Sequence, residues 1–450
     1  MKENAIHTKS LFEDQVDNPK PEVPNLEWEI VLSTLTALGN ETARTPIEDA
    51  EKFQRLIARI YKKVRKERRR TKNEALKEKD KQILASTTLV RKAAEQKTKQ
   101  LRQMSTAKAS NEKDKNRKLN RARRCYCCLQ PYRQVHEFYH YLCSTCAEVN
   151  LRKREQRADL SQRYAIVTGG RVKIGFQTAL KLLRDGAHVT VTTRFAVDAY
   201  ERYTKESDFL EWAHRLNIVR LDFRDLPKVL EFTEQMSQTL PYLDILVNNA
   251  AQTVRTAKQE YAALKAKEVT KLLPRVSPLI EALPVFVDRR EVNGWTQRLH
   301  EIEPLELVEV LLINTAAPFL ITARLKALLQ RSTNGNSFVI NVNGRDGHFT
   351  RKFKSTAHPH VNVSKAGLNM LTRTSAADFL QDNIFMNSVD VGWVSLEGAY
   401  SKKLRMTDEE GFVPPLDAVD AAARIYDPIV RGLAGEKLSG LLFKHYAPVD

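Results

Sequence analysis

Residues 164–195, YAIVTGGRVKIGFQTALKLLRDGAHVTVTTRF, constrain the fold of this chain more than any other stretch. They open on an apolar run over 164–167, the pattern of a buried parallel strand. A glycine-containing turn follows over 168–175, and then apolar residues at helical spacing: Phe176, Ala179, Leu180, Leu182 and Leu183. Gly186 is placed to stop that helix, and a second β-rich run occupies 188–193. Strand, glycine turn, helix and strand form the unit whose helix N-terminus takes the pyrophosphate of a dinucleotide. Gly169 would let the backbone turn tightly, and Gly175 would let helix and strand approach closely. A turn with two or three glycines also occurs in other α/β proteins, so the unit needs support from elsewhere.

Support comes from DILVNNAA at 244–251, a second apolar strand that closes on two asparagines and two small residues. Further along stand Asp222 after a third strand, Asn314 in LLINTAAPFL, Lys365 in VNVSKAGLNML, and NSVDVGWV from Asn387. Taken in this order with TGGRVKIG, these motifs resemble the short-chain dehydrogenase/reductase family, from about residue 160 onward. The resemblance implies an α/β fold, a doubly wound parallel sheet of the Rossmann type. It implies that Thr168, Gly169, Arg171, Lys173, Ile174 and Gly175 line the cofactor's phosphates. By the same resemblance Asp222 contacts the adenine, and Asn248 and Ala250 flank the cofactor's path. Lys365 holds the nicotinamide ribose, and Asn314 holds a water in a proton relay.

Thr192, Thr193 and Arg194 end the second strand without a carboxylate. A carboxylate there would hold the ribose hydroxyls of NAD and repel a 2′-phosphate. Arg194, with Arg171, would attract that phosphate, so NADP is the expected cofactor, with NAD and a merely superficial Arg194 as the alternative.

The sequence also departs from the family. Lys173 stands where the family has its middle glycine. Asn343, Gly344, Arg345 and Asp346 follow the fifth strand, where the family has a serine. Val361 occupies the position of the family's tyrosine, four residues before Lys365. Of that catalytic set, only Lys365 and Asn314 remain. His358 and His360 lie just upstream of the lysine, and imidazole exchanges protons near neutral pH. His360 is the expected substitute proton donor, against the plainer reading of both histidines as polar loop residues. Ser395 is placed to meet the carboxamide. Residues 253–303 lengthen the family's spacing between Asn248 and Asn314. They have a charged helical part over 257–273 and a proline-punctuated part over 274–284, and are expected near the cleft mouth as a lid, partner surface or substrate element.

The net charge of +18 is concentrated. Residues 51–124 carry 27 Lys/Arg against 8 Asp/Glu, a net of +19, which leaves −1 for the rest. Over 47–124 there is no Pro or Gly, and the composition predicts a long helix, introduced by a short amphipathic helix at 26–38. Phe53, Leu56, Ile57, Ile60, Tyr61 and Val64 form a stripe of the coiled-coil kind, which thins beyond Arg70. Three readings of this arm compete: electrostatic nucleic-acid binding, a nuclear-localisation signal around KKVRKERRR at 62–70, and a solvated charged linker. Residues 1–44 are expected to be mostly without order apart from the short helix.

CYCCLQPYRQVHEFYHYLCSTC at 125–146 places Cys125 and Cys128 in one CxxC, and Cys143 and Cys146 in another. Two such turns complete a tetrahedron of thiolates, the signature of structural zinc, with iron as the alternative. Cys127 could replace either member of the first pair, and His136 and His140 are reserve ligands. The residues over 125–150 are expected to form a zinc knuckle packed on the domain at 160–450. The five cysteines suit a reducing compartment, and the opening residues lack a secretory core. No run of eighteen apolar residues is present, so the expected location is cytoplasmic, or nuclear if the basic arm directs it. Expected partners are a small carbonyl or alcohol substrate, further copies of the chain (the family commonly forms oligomers) and an anionic partner for residues 45–124. The function expected is hydride transfer at a carbonyl or alcohol carbon. The alternative is a silent dinucleotide-binding sensor or nucleic-acid-associated scaffold acting through the arm.

Overall fold

The computed structural model describes residues 28–39, 47–101, 117–255, 261–262, 266, 268, 288–350 and 354–449. The proline-punctuated part of the insertion, 274–284, and residues 1–25 lie outside the described residues. The chain divides into two compact units, Met1–Lys77 and Glu78–Asp450.

The first unit holds the helix Trp28–Gly39 and most of the helix Ile47–Ala85. On the latter, Leu56, Ile57, Ile60, Tyr61 and Val64 are exposed. Glu51 pairs with Arg55, and Glu74 with Arg70, at i,i+4 spacing. Each such pair stabilises a helix by only a few tenths of a kcal/mol (about 0.2–0.5).

In the second unit the helix breaks at Ser86 and Thr87 and resumes as Thr88–Leu101. The helix expected as far as 124 does not form. Lys118–Arg124 is instead strand β1, antiparallel to β2, Pro131–Gln134. Leu119 is fully buried there, and the Asp80 carboxylate accepts from the Asn120 and Arg121 main-chain N–H groups at 2.7 and 3.2 Å. Burial and pairing outweigh helix propensities that differ by less than about 1 kcal/mol per residue. Ile83, Leu84 and Leu89 pack with Leu119, Tyr132, Tyr139 and Leu142, so the thinned end of the apolar stripe meets the hairpin.

The main sheet is α/β and doubly wound. Its strands are β3 (Tyr164–Thr168), β4 (His188–Thr193), β5 (Leu216–Arg220), β6 (Ile245–Asn248), β7 (Ser337–Asn343), β8 (Ile384–Asp390), β9 (Leu442–Lys444) and β10 (Ala447–Val449). They lie in the order β10-β9-β8-β7-β6-β3-β4-β5, all parallel except the β9–β10 pair. At the C-terminal edge the chain pairs with β8 over Leu442–Lys444 and then hairpins back.

Two apolar clusters cover the two faces, which explains the near-continuous apolar runs of the inner strands. One joins Val167, Val191 and Val247 to Leu182, Leu183, Ile425 and Ile429. The other joins Ile166, Leu246 and Val339 to Phe232, Ile321, Leu325 and Phe379. The stretch Pro304–Gln330 is long and apolar enough to cross a membrane by length and composition, but half of that window is buried in the fold. Strand order reverses between β3 and β6, and a crevice opens beyond the carboxyl ends of strands at such a point.

Candidate active site

The glycine turn leaves β3 at this reversal and enters the helix Lys173–Arg184. Gly169 has φ +72°, and its N–H donates to Thr192 O at 2.9 Å. A Cβ at Gly175 would fall well inside contact distance of Gly169 O, so no other residue fits there without a backbone shift. Asn249 fastens the turn from β6: its Nδ2 donates to Thr168 O at 2.9 Å, while Thr168 Oγ1 accepts from the N–H groups of Asn249 and Ala250. Asn248 instead faces inward, donating to Asn341 Oδ1 and Thr322 Oγ1. The sequence points to Asn248 and Ala250, whereas the turn is fastened by Asn249, the second member of the doubled asparagine.

No side chain caps the helix start at Val172, the condition under which a helix N-terminus can take an anion. Lys173 adopts φ +52°, the left-handed region that the family's glycine occupies freely. Its side chain is half-exposed, and Nζ lies 3.3 Å from Glu397 Oε1. Glu397 also accepts from Ser395 Oγ, so Ser395 is tied to the lysine's partner. Ile174 packs against the core beneath the turn.

At the β4–β5 end, Arg171 is held by Asp198 at 2.8 Å. Burial lowers its pKa, partly offset by Asp198. The Arg194 guanidinium lies over the rings of Phe195 and Tyr261 at 5.6 and 5.7 Å, and burial lowers its pKa too. Asp222 is bound by Arg224, which also donates to Tyr261 Oη at 2.8 Å. Burial pulls the Asp222 carboxyl upward, but Arg224 and Arg194 hold it below its ordinary value.

At the reacting end, Lys365 lies on the helix Pro359–Leu380 and donates from Nζ to Val342 O on β7 at 2.9 Å. Burial pushes its pKa down to about 8, against the attraction of Asp346. Asn314 sits in a π-helical turn, Leu312–Ala316, of the kind frequent at functional sites. Its Oδ1 accepts from Gln252 N–H, while its Nδ2 donates to Gln252 O and Ser364 Oγ. Val361 is buried at the tyrosine position. Asn343 is committed to structure, donating to Lys365 O and Asn369 Oδ1.

The two histidines separate. The His358 ring is stacked on Trp295, with Nδ1 near Trp295 O and Nε2 3.5 Å from Asp346 Oδ1. His360 is buried with neither ring nitrogen hydrogen-bonded among the described residues. Its Nε2 lies 4.0 Å from Glu306 Oε1, which is likewise without a partner. Burial lowers the His360 pKa and raises that of Glu306. Glu306, Ser364 and the Asp346–His358 pair are elements that sequence reasoning missed, because chain spacing does not show which loops converge.

The Sγ atoms of Cys125, Cys128, Cys143 and Cys146 all lie within 4.8 Å of one another, with Cys128 and Cys143 3.8 Å apart. A tetrahedron of 2.3 Å zinc–sulfur bonds has edges of about 3.8 Å, so the set fits such an ion. Cys127 is not part of it: its thiol, pushed up to about 12 by burial, meets His445 and Asn150. His136 and His140 do not replace a thiolate. One accepts from the Phe138 N–H, and the other meets Val413 O. The cysteine segment docks on the sheet domain through Tyr139 to Asp420, Arg154 to Asp417, and Asn150 to Arg424.

A family model described as short chain dehydrogenase matches residues 163–274. Uncharacterized protein R665 of Acanthamoeba polyphaga mimivirus is 33% identical over 349 residues, 71% of this chain and 73% of that protein. That is a longer stretch than 163–450 contains, so the likeness reaches into the segment before the sheet. (+)-Neomenthol dehydrogenase of Capsicum annuum is 34% identical over 142 residues, 30% of this chain and 41% of that protein. Among solved structures, a short chain dehydrogenase from Shigella flexneri is similar at 17% identity and a TM-score of 0.47, covering 65% of this chain and 95% of that one.

Proposed function

Because this chain belongs to the short-chain dehydrogenase family, we propose that it is an NADP-dependent oxidoreductase acting at a carbonyl or alcohol carbon, with an imidazole in place of the usual tyrosine. The observation that carries this reading is Lys365, buried on the β7 carbonyl beside the crevice with its pKa brought to about 8. A cationic group so held is suited to gripping ribose hydroxyls. The nicotinamide would supply or accept the hydride.

The chain's own residues do the rest. Gly169 and Gly175 let the backbone come close to the phosphates, and the uncapped amides after Val172 receive their charge. Arg194, at a strand end without a carboxylate, favours a 2′-phosphate. Asn314 holds the Gln252 main chain and Ser364 beside the lysine helix. His360 is the proposed proton acceptor. Its lowered pKa keeps it neutral at pH 7, so it takes the hydroxyl proton as the alcohol becomes a carbonyl. The oxidation rate should therefore fall on acidification, as pH drops through a pKa held below the ordinary histidine value, while reduction gains.

A second reading is favoured by one observation: buried Val361 stands at the tyrosine position, and the run over 343–346 offers no serine after the fifth strand. In that reading the domain binds the dinucleotide and reports its state without turning it over. Titration with NADPH and NADH, followed by nicotinamide fluorescence and a screen of carbonyl and alcohol substrates, separates the two. Binding with turnover supports the enzyme, and binding without turnover supports the sensor. Absence of binding by either cofactor removes both.

Zinc at the four thiolates belongs to the same proposal, as a closed site that shapes the docked segment. Metal analysis should find one zinc per chain, lost in Cys143→Ser. The basic arm is proposed as a salt-sensitive contact for an anionic partner. Binding of the full chain to duplex DNA should weaken steeply between low and physiological salt, and binding indifferent to salt would reject the electrostatic reading.

A further inference from the structure

The helix Ala196–Tyr203 follows β4 directly, so its N-terminus stands where the adenosine ribose of a bound dinucleotide would lie. Its own N-cap residue, Phe195, supplies no side-chain cap. The cap comes from 71 positions away in the chain, from Glu268 of the insertion. Glu268 Oε1 accepts from Val197 N–H at 3.0 Å and from Asp198 N–H at 3.2 Å, and Oε2 accepts from Val197 N–H at 3.2 Å. Glu268 is buried at 8% exposure, and its charge acts on Arg171.

Tyr261, seven positions earlier and also helical, lies against Phe195 and the guanidinium groups of Arg194 and Arg224. The insertion therefore places a ring and a carboxylate on the one corner of the crevice where NADP and NAD differ. A helix N-terminus with arginines beside it attracts an anion, and here the chain provides its own.

Given that the cleft takes a dinucleotide, we infer that Glu268 is the specificity-determining residue: its carboxylate holds the place of the 2′-phosphate and must leave before NADP can bind. Arg194 and Arg171 attract the phosphate and Glu268 opposes it, so discrimination between the cofactors depends on whether the Glu268 carboxylate sits on the Val197 and Asp198 amides. NADH carries only a hydroxyl at that position and does not require Glu268 to move.

The test is Glu268→Gln, which keeps the acceptor oxygen for Val197 N–H and removes the charge. Dissociation constants for NADPH and NADH would be measured on the full chain, wild type and variant, by nicotinamide fluorescence. The expected result is a tenfold or greater gain in NADPH affinity with NADH changed less than twofold. If both cofactors bind the wild type and neither affinity shifts, the inference is wrong and the oxidoreductase reading stands. If neither protein binds either cofactor, the dinucleotide reading itself fails. Hydrogen exchange on the wild type gives an independent measurement should the variant not fold. Saturating NADPH should deprotect the peptide containing Glu268 while NADH leaves it unchanged, and equal protection with both would overturn the inference.

Discussion

At the glycine turn after β3, Gly169, Gly175 and Asn249 hold main-chain atoms in a close-packed bend. Around Lys365 the groups are side chains, and there Val361 and the run over 343–346 stand where the family has its tyrosine and serine. The contrast teaches that binding and chemistry have different tolerances. A backbone cradle is fixed by the sheet that supports it and by two positions where a Cβ does not fit. A proton relay depends on individual functional groups, and its loss leaves the fold intact. Such a domain can keep its ligand while its chemistry changes or stops.

The sharpest way to break the contrast is Gly175→Val. Its side chain would meet Gly169 O, so dinucleotide binding should fall by about a hundredfold or more, measured by fluorescence titration with circular dichroism as the folding control. At the other end, His360→Ala should cost about 10²–10⁴ in turnover, the range for a lost general acid or base, with NADPH affinity within twofold of wild type. Unchanged turnover would remove His360 from the chemistry and leave the two ends unequal in kind.

Lys365 tests whether the lysine bears the cost of its burial. Its folded value of about 8 lies below the ordinary 10.5, so between those values the unfolded chain holds more protons. Stability should therefore rise with pH across that window, and the burial penalty should be fullest below pH 8. Relative to Lys365→Met, the gain should be of order 3 kcal/mol, read from urea denaturation at pH 7.5 and 10. A parallel slope in both proteins would contradict this. The smallest effect is expected at Lys173→Gly. Relieving one left-handed residue should add about 1 kcal/mol of stability while leaving turnover unchanged, and a loss of stability would show that the Glu397 contact matters more than the strain.

The sheet was legible because each of its signals is local: apolar runs at 164–167 and 337–342, glycines at 169 and 175, and asparagines at the end of β6. The four cysteines were legible for the same reason, since paired CxxC turns carry their geometry in the spacing. What escaped was decided by contacts between distant segments. Composition over 118–124 favours a helix, yet the partner strand at 131–134 and the Asp80 carboxylate make it a strand. Glu268, Glu306 and Tyr261 look like ordinary insertion or helix residues in the sequence, and only the folded chain brings them against Val197, His360 and Arg224. His360 is marked by its place before Lys365, whereas the approach of Glu306 to within 4.0 Å of it depends on a helix more than fifty residues away.

The docking of the cysteine segment has a consequence for the order of events during synthesis. Tyr139 bonds to Asp420, which is 281 positions later, and Cys127 meets His445, which is 318 positions later. At translation speeds of about 5–20 residues per second, the segment waits roughly 15–60 s before its partners leave the ribosome. Throughout that interval Tyr139 and Arg154 lack their carboxylate partners, and the segment has only its own contacts, such as those of both residues with Phe138. The last helix and strands to be made are thus the clasp that closes the cysteine segment onto the sheet.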